Sequence, residues 1–133
     1  MSRRTSIYIN EFKHKNPIPN AAVINGVLMS GLILGRDATT GGLPPGLVDQ
    51  CANMFGHMKK IAETAGGGID DILKVTIWMN DRKQRDAING LWLDMFPDES
   101  SRPARLTLQT ELEGGVQIQC DFTAILSLPD RWT

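Results

Sequence analysis

The chain has 133 residues and a formal net charge of −1, with hydrophobic residues at 41% and charged residues at 22%. This length favours a single domain over residues 1–133 with one hydrophobic core, and the composition is typical of a soluble globular protein. Because the net charge is near zero and the basic residues are scattered, nothing indicates a nucleic-acid-binding surface.

The N-terminus and the cysteines bear on the cellular compartment. Arg3 and Arg4 are not followed by an apolar segment, so no signal peptide is predicted. No apolar run approaches the ~18 residues that a membrane span needs. Cys51 and Cys120 match no metal-binding spacing and lie on apolar stripes, which indicates buried free thiols in a reducing environment. We therefore expect a cytoplasmic protein without membrane contact.

The histidines and the glycine clusters are the remaining candidates for metal or phosphate binding. His14 and His57 each lack a second ligand at metal-binding spacing. The clusters Gly41-Gly42 and Gly66-Gly67-Gly68 are not followed by Gly-Lys-Ser/Thr and do not form a GxGxxG pattern after a strand. We expect no metal ion and no phosphate-binding loop.

The first third of the chain predicts strands. Residues 6–10 alternate between apolar and polar side chains, and two prolines exclude a helix over residues 16–20. Asn25-Gly26 separates two apolar runs and predicts a β-hairpin. The second arm, residues 27–34, is apolar on both faces, so we expect a central strand that is covered on both sides.

Two helices and an intervening strand are predicted next. Apolar residues recur at spacings of three and four over residues 47–65, and Gly66 to Gly68 end this first helix. Residues 74–79 alternate as a strand. A second helix is predicted over residues 82–96, and Pro97 ends it.

The C-terminal third contains the most suggestive charged residues. Two strands are predicted, one within residues 101–110 and one over residues 116–126, with a Gly114-Gly115 turn before the second. Arg105 stands at the start of the first strand, and Asp121 is a lone carboxylate inside the second. On two adjacent strands this pair would grip a small anionic substrate and position a water molecule.

The order of elements predicts an α+β fold with a single mixed β-sheet and both helices on one face. The other face is then left uncovered, although it is not polar. Four large apolar residues exceed what two helices on one side can bury, and we expect the protein to form an oligomer through this face. They are Leu32, Leu34, Trp78 and Ile125.

Several segments taken together resemble the RidA (YjgF) family of enamine/imine deaminases over residues 16–126. They are residues 25–31, residues 70–76, the helix containing Asn89, and Pro103-Ala104-Arg105. The resemblance implies a chorismate-mutase-like fold and a homotrimeric barrel with active sites in clefts between subunits. It also implies hydrolysis of 2-imino acids to 2-keto acids and ammonia, without a cofactor.

The resemblance also implies roles for individual residues. Arg105 matches the arginine that binds the substrate carboxylate, which suits a planar guanidinium with two parallel donors. Thr107 falls where main-chain groups lie near the imine nitrogen, Ser30 and Gly31 match the pocket wall, and Asn89 matches an asparagine beside the site. The alternatives are a surface arginine at a strand end, a plain strand glycine in the core, and a helix-surface amide.

Two residues depart from the family pattern. Asp121 occupies the position of a glutamate that orients the hydrolytic water, and Pro19 replaces a tyrosine, so a hydroxyl donor and a ring are lost. These departures bear on the substrate range and leave open a non-catalytic, small-carboxylate-binding or regulatory protein. A third hypothesis is deamination of an aminoacrylate-like intermediate. Ribonuclease activity ranks last, because the sequence has neither a basic groove nor a histidine pair.

Overall fold

The computed structural model describes residues 3–10 and 16–127. Within these residues, seven strands and two α-helices form the fold. In chain order they are β1 Thr5–Ile7, β2 Ala21–Ile24, β3 Val27–Ser30, β4 Ile33–Leu34, α1 Leu47–Thr64, β5 Ile72–Met79, α2 Asp86–Met95, β6 Ala104–Gln109 and β7 Ile118–Ile125.

All strands belong to one mixed sheet with the order β1-β2-β3-β7-β5-β6, and β4 also pairs with β7. Only β5 and β6 are parallel, because α2 carries the chain back between them; the other pairs are antiparallel. Helix α1 packs on β4, β7 and α2. The predicted α+β fold, with a mixed sheet and two helices, is confirmed.

The hydrophobic core lies between the helices and one face of the sheet. On β5 the residues Val75, Ile77 and Met79 are fully buried, while Thr76 and Trp78 between them are only half-buried. Residues that alternate along a strand point to opposite faces. The buried set therefore defines the helix-covered face, and Thr76 and Trp78 belong to the opposite face, which we call the open face.

The hairpin prediction is confirmed at Asn25-Gly26, where φ is 50° and 80°. Two consecutive residues in the left-handed region match the turn that favours this dipeptide in a two-residue hairpin. The strand after the turn differs from the prediction, since it divides into β3 and β4. Met29 pairs with Thr123 and Ile33 with Cys120, so the three residues 30–32 oppose only the two residues 121–122 of β7. This extra residue forms a bulge.

The prediction that residues 27–34 are covered on both sides is wrong within one chain, because the side chain of Met29 is 62% exposed. The predicted second helix is also shorter. Residues Arg82–Gln84 form a 3-10 turn, in which the Asp81 carboxylate accepts a hydrogen bond from Lys83 N, and α2 begins only at Asp86. Asp81 is therefore the capping residue of the 3-10 turn and not of the helix.

The open face is apolar, and the described part of the chain leaves it uncovered, as the sequence predicted. Leu32 and Ile125 are exposed, and Leu34 and Trp78 are half-buried. Strand register places further apolar side chains beside Ile125 on this face. They are Val27, Met29, Leu106 and Leu108, all exposed.

Two smaller points concern the cysteines and the helices. Cys51 and Cys120 are both buried and free, as expected. In the described part of the chain, no helix combines the length and the hydropathy that crossing a membrane requires.

Candidate functional site

Arg105 is the second residue of β6 and pairs with Val75, so its side chain lies on the helix-covered face at the edge of the sheet. There it meets α2. Its Nη2 donates a hydrogen bond of 2.8 Å to Asn89 Oδ1, and its guanidinium carbon lies 5.0 Å from the centroid of the Trp92 ring. The hydrogen bond and the cation–π contact fix the plane of the guanidinium.

The other terminal nitrogen of Arg105 has no such support. Within residues 3–10 and 16–127, Nη1 is a buried side-chain nitrogen without a hydrogen-bond partner. A buried unsatisfied donor is costly, and more so when it is charged, so such a group in a native protein needs an explanation. A carboxylate that docks against Arg105 would accept this hydrogen bond and compensate the charge.

The electrostatics around Arg105 favour an anion. Burial lowers the pKa of Arg105 from its ordinary value, because removing a cation from water disfavours its charged form. A Cys51 thiolate would oppose this shift, and the charge of Arg85 adds to it. Burial raises the pKa of the Cys51 thiol to about 12. Cys51 is thus a neutral neighbour of Arg105 at physiological pH and not a reactive thiolate.

Thr107 extends the same site along β6. It pairs with Ile77 and is half-buried on the helix-covered face, two residues beyond Arg105. Helix α2 runs antiparallel to this strand, since Arg82 N near its start donates a hydrogen bond of 3.0 Å to Gln109 Oε1 at the end of β6, while Asn89 contacts Arg105. Asn89 Nδ2 also lies 3.4 Å from Asp86 Oδ1. We call Arg105, Thr107, Asn89 and Trp92 the Arg105 site.

Ser30, Gly31 and Pro19 form a second group at the bulge. Ser30 Oγ donates to Gly31 O and accepts from Phe122 N, both at 2.9 Å. Gly31 N donates to Asn20 O at 2.9 Å, directly after Pro19. A Cβ atom built on Gly31 would meet only ordinary contacts, 3.8 Å from Pro19 O. The fold of this chain alone therefore does not require glycine at position 31.

Asp121 belongs to the side of the sheet that has no helix. It pairs with Thr76 on β5 and points to the open face, where it is half-buried. Burial raises the pKa of the Asp121 carboxyl from its ordinary value. The backbone N–H of the next residue, Phe122, donates a hydrogen bond to Ser30 Oγ. Asp121 is therefore close to Ser30 and Gly31 in the sheet.

The prediction that Arg105 and Asp121 occupy adjacent strands is wrong. Strand β5 lies between β6 and β7, and the two side chains point to opposite faces of the sheet. From β3, which carries Ser30, to β6 there are three interstrand steps, or about 14 Å at ~4.8 Å a step. One chain thus presents two separate groups, the Arg105 site and the bulge group with Asp121.

The sequence did not single out Trp92, Cys51 or Arg85 as neighbours of Arg105. Trp92 is three residues after Asn89 and therefore on the same face of α2, but its place in the apolar stripe indicated only core. It does belong to the core, with its ring centroid 6.2 Å from that of Phe55 and 4.8 Å from that of Phe96. Its contact with the arginine depends on which strand α2 covers.

A metal site does not emerge from the described residues: no three of their His, Cys, Asp and Glu side chains are grouped so as to hold an ion. His57, the described histidine, is buried in α1 with its Nε2 2.6 Å from Arg36 O. This contact ties α1 to the loop that begins at Arg36.

Comparison with known proteins gives consistent matches. A model of the family described as Endoribonuclease L-PSP matches residues 9–126. A RutC family protein of Aquifex aeolicus is 32% identical over 110 residues, which are 82% of this chain and 88% of that protein. A 2-iminobutanoate/2-iminopropanoate deaminase of Dermatophagoides farinae is 28% identical over 104 residues, or 77% of this chain and 79% of the relative.

Solved structures show the same fold. The crystal structure of RidA from the Antarctic bacterium Psychrobacter sp. PAMC 21119 superimposes with a TM-score of 0.84 at 21% identity, covering 92% of this chain and 99% of that one. YyfA from Yersinia pestis, a protein of unknown function in the conserved Rid family, gives a TM-score of 0.85 at 21% identity with the same coverage.

Proposed function

The chain belongs to the Endoribonuclease L-PSP family, and from this membership and the Arg105 site we propose that it hydrolyses small 2-imino acids, or their enamine precursors, to 2-keto acids and ammonia. The relative from Dermatophagoides farinae is named for this activity on 2-iminobutanoate and 2-iminopropanoate. The resemblance to the RidA family, based on residues such as Asn89 and Pro103-Ala104-Arg105, is confirmed by the family match.

The observation that carries the proposal is the free donor of Arg105. Its guanidinium is held by Asn89 and Trp92, and Nη1 remains buried and unpaired among the described residues. A small carboxylate supplies the missing acceptor and the opposite charge in one step. Because the guanidinium is already oriented, the substrate does not have to order it on binding.

Asp121 is the proposed proton acceptor. Water adds to the imine carbon, a C–O bond forms, and the carboxylate takes a proton from that water. Asp121 returns this proton to the nitrogen as the C=N π bond opens, which gives a carbinolamine. The hydroxyl proton of the carbinolamine then passes through Asp121 to the nitrogen, the C=O double bond forms, the C–N bond breaks and ammonia leaves. A base with a raised pKa is better matched to proton transfer near neutral pH than an ordinary aspartate. Imines hydrolyse unaided, so positioning and proton transfer suffice.

A second copy of the chain is needed to bring Asp121 to Arg105, since within one chain β5 separates them and they point to opposite faces. We propose a homotrimer in which the open face of each copy is buried against the next copy at its β6 edge, where Arg105 lies. Met29, Leu106 and Ile125 are exposed in the single chain, and their burial on assembly favours such a trimer. In this arrangement Pro19, Ser30 and Gly31 of one copy complete the wall of the Arg105 site of the next.

The test is ammonia release from freshly generated imines. An amino-acid oxidase forms 2-iminopropanoate or 2-iminobutanoate in situ, and semicarbazide traps the imine that escapes hydrolysis. The protein should lower semicarbazone formation in proportion to its concentration, and Arg105→Ala should not. Arg102→Ala is the matched control, since its guanidinium binds the Phe96 and Pro97 carbonyl oxygens. Equal activity in the Arg105 and Arg102 variants contradicts the role of Arg105.

A non-catalytic carboxylate-binding or regulatory function is the second candidate. The separation of Arg105 from Asp121 favours it, because the carboxylate anchor forms within one chain and does not depend on Asp121. This candidate predicts saturable binding of 2-ketobutanoate without ammonia release from any imine. Nuclease activity, which the family name mentions, is not proposed, because the net charge is −1 and His57 is buried.

A further inference from the structure

We infer that the Arg105 site takes imino acids with a second carboxylate, that is, 2-imino dicarboxylic acids, with Arg105 binding one carboxylate and Arg85 the other. This inference rests on the proposed function and narrows its substrate class. Arg85 has no part in the roles implied by the family resemblance. Its position relative to Arg105, and the charge of the surrounding segment, carry the inference.

Helix geometry places Arg85 beside the Arg105 site. Arg85 is the N-cap of α2, and Asn89 N donates to its carbonyl oxygen at 3.2 Å, so the two residues are one helical turn apart. Side chains four residues apart share a helix face, with their Cβ atoms ~6 Å from each other. Since Asn89 Oδ1 accepts from Arg105 Nη2, the next position along this face, toward the helix start, belongs to Arg85.

The direction of α2 determines where the second cation lies. The helix start is anchored at the end of β6 by the bond from Arg82 N to Gln109 Oε1. Arg85 is therefore displaced from Arg105 along β6, in the direction of Thr107. Arg85 and Asn89 are one turn apart on α2, with their Cβ atoms ~6 Å from each other, and Asn89 contacts Arg105. A ligand with two carboxylates a few carbons apart would therefore reach both arginines. The imine carbon is then held between them, close to the Thr107 backbone.

The local charge matches a dianion. Arg82, Lys83 and Arg85 against Asp81 and Asp86 give residues 81–86 a net charge of +1, and Arg105 brings the total to +2. The proximity of Arg85 lowers the pKa of Arg105, after the larger effect of burial. A monocarboxylate compensates one of the two cations, whereas a dicarboxylate compensates both. Asp86 lies 3.4 Å from Asn89 Nδ2, so its carboxylate is directed to that amide.

The experiment compares imines that differ only in the second carboxylate. Oxidases for acidic and for neutral amino acids generate 2-iminosuccinate, 2-iminoglutarate and 2-iminopropanoate in situ, and kcat/KM is measured for each. We expect the wild-type protein to prefer the dicarboxylic imines by about tenfold, as a charge-assisted contact warrants. Arg85→Ala should lower that ratio by about tenfold, and Arg85→Lys should retain most of it.

Lys83→Ala is the matched control, because it removes the same charge from the same exposed segment but lies off the face shared by Arg85 and Asn89. Its selectivity ratio should change far less than that of Arg85→Ala, because Lys83 contributes only to the overall charge of the segment. Since Arg85 is exposed, the preference should also weaken as ionic strength rises. An unchanged ratio in Arg85→Ala, or equal effects of Arg85→Ala and Lys83→Ala, overturns the inference.

Binding separates this inference from the proposed function. Calorimetric titration with 2-oxoglutarate and with 2-oxobutanoate measures the selectivity of the site without turnover. A protein that hydrolyses no imine but binds 2-oxoglutarate about tenfold more tightly supports the dicarboxylate site and refutes the deaminase proposal. A protein that deaminates 2-iminopropanoate and binds both ligands equally refutes the dicarboxylate site alone.

Discussion

The two faces of the sheet hold the two charged residues of the proposed site under opposite conditions. On the helix-covered face, Arg105 is fixed by Asn89 and Trp92, both on α2, and needs only a ligand. On the open face, Asp121 lies half-buried among exposed apolar side chains, and no element within residues 3–10 and 16–127 covers them. The carboxylate anchor on the helix-covered face is therefore complete within one chain, whereas the open face still exposes apolar side chains.

This difference separates binding from catalysis. A carboxylate anchor that is complete in one chain should bind ligand whatever the assembly state. Proton transfer by Asp121 instead requires a second chain, because β5 stands between β7 and β6. A neighbouring copy against the open face would explain both the exposed apolar residues and the separation of the Asp121 carboxylate from Arg105.

The largest effect is expected from a charge placed on the open face. Met29→Asp puts an ionised carboxylate where the side chain is now 62% exposed and apolar. Burying that charge unpaired at an interface costs several kcal/mol, so the variant should stay folded but lose both assembly and deaminase activity. Light scattering after size-exclusion chromatography measures the mass, and circular dichroism the fold.

Val48→Asp is the control for this change, since Val48 is 55% exposed on α1, away from the open face. Its mass and activity should match the wild type. A Met29→Asp protein that retains the wild-type mass and activity would contradict the proposal that the open face is the interface between copies.

Arg105→Ala should lower kcat/KM by about 10²- to 10³-fold, because removing one partner of a buried charged hydrogen-bonded pair typically costs 2–5 kcal/mol. Arg105→Lys should recover only part of this loss, since an ammonium group cannot make the two parallel contacts of a guanidinium. The mass of the assembly should not change in either variant. Steady-state kinetics with trapped 2-iminopropanoate measures the effect.

Asp121→Asn should lower kcat by about 10²-fold, the usual contribution of a positioned general base, while ligand binding persists. The base acts only when ionised, and burial raises the pKa of Asp121. The acid limb of the pH–rate profile should therefore lie above the ordinary aspartate value of 3.8. The limb should disappear in Asp121→Asn and return in Asp121→Glu. If the Asp121→Asn protein kept the acid limb of the wild-type pH–rate profile, that limb would belong to the titration of another group.

The smallest effect concerns the ring beneath Arg105. Trp92→Phe keeps an aromatic face 5.0 Å from the guanidinium and should change KM by less than about twofold, while Trp92→Leu should raise KM by about fivefold. Both variants also lose core packing, so thermal unfolding is measured alongside. Equal KM values in two folded variants would mean that Trp92 contributes to the core only.

The positions of α1 and of the hairpin turn were accessible from the sequence because their causes are local. The apolar period of residues 47–65 and the Asn25-Gly26 turn act over a few neighbours, and both predictions hold. The strand order was not accessible. The position of β5 between β6 and β7 depends on where the crossover through α2 places β6. We expected β6 and β7 to be adjacent in the sheet because they follow each other in the sequence. That expectation placed Arg105 and Asp121 on neighbouring strands, which is wrong.

The environment of Arg105 was only partly predictable. Its match to a family motif identified Arg105 and Asn89, and these two residues do form a hydrogen bond. Trp92 was hidden in an apolar stripe, and Arg85 in an ordinary run of surface charges. Only the packing of α2 antiparallel to β6 brings them to the same arginine. Long-range packing of this kind leaves no local sequence pattern.

The most direct test of the central claim is complementation between two inactive variants. Arg105→Ala and Asp121→Asn proteins are unfolded together, refolded as mixed assemblies and assayed against each pure variant. If every site joins Arg105 of one copy to Asp121 of the next in a closed trimer, equal mixing restores about a quarter of the wild-type sites. Activity in the mixture no greater than the sum of the pure variants would contradict a shared site.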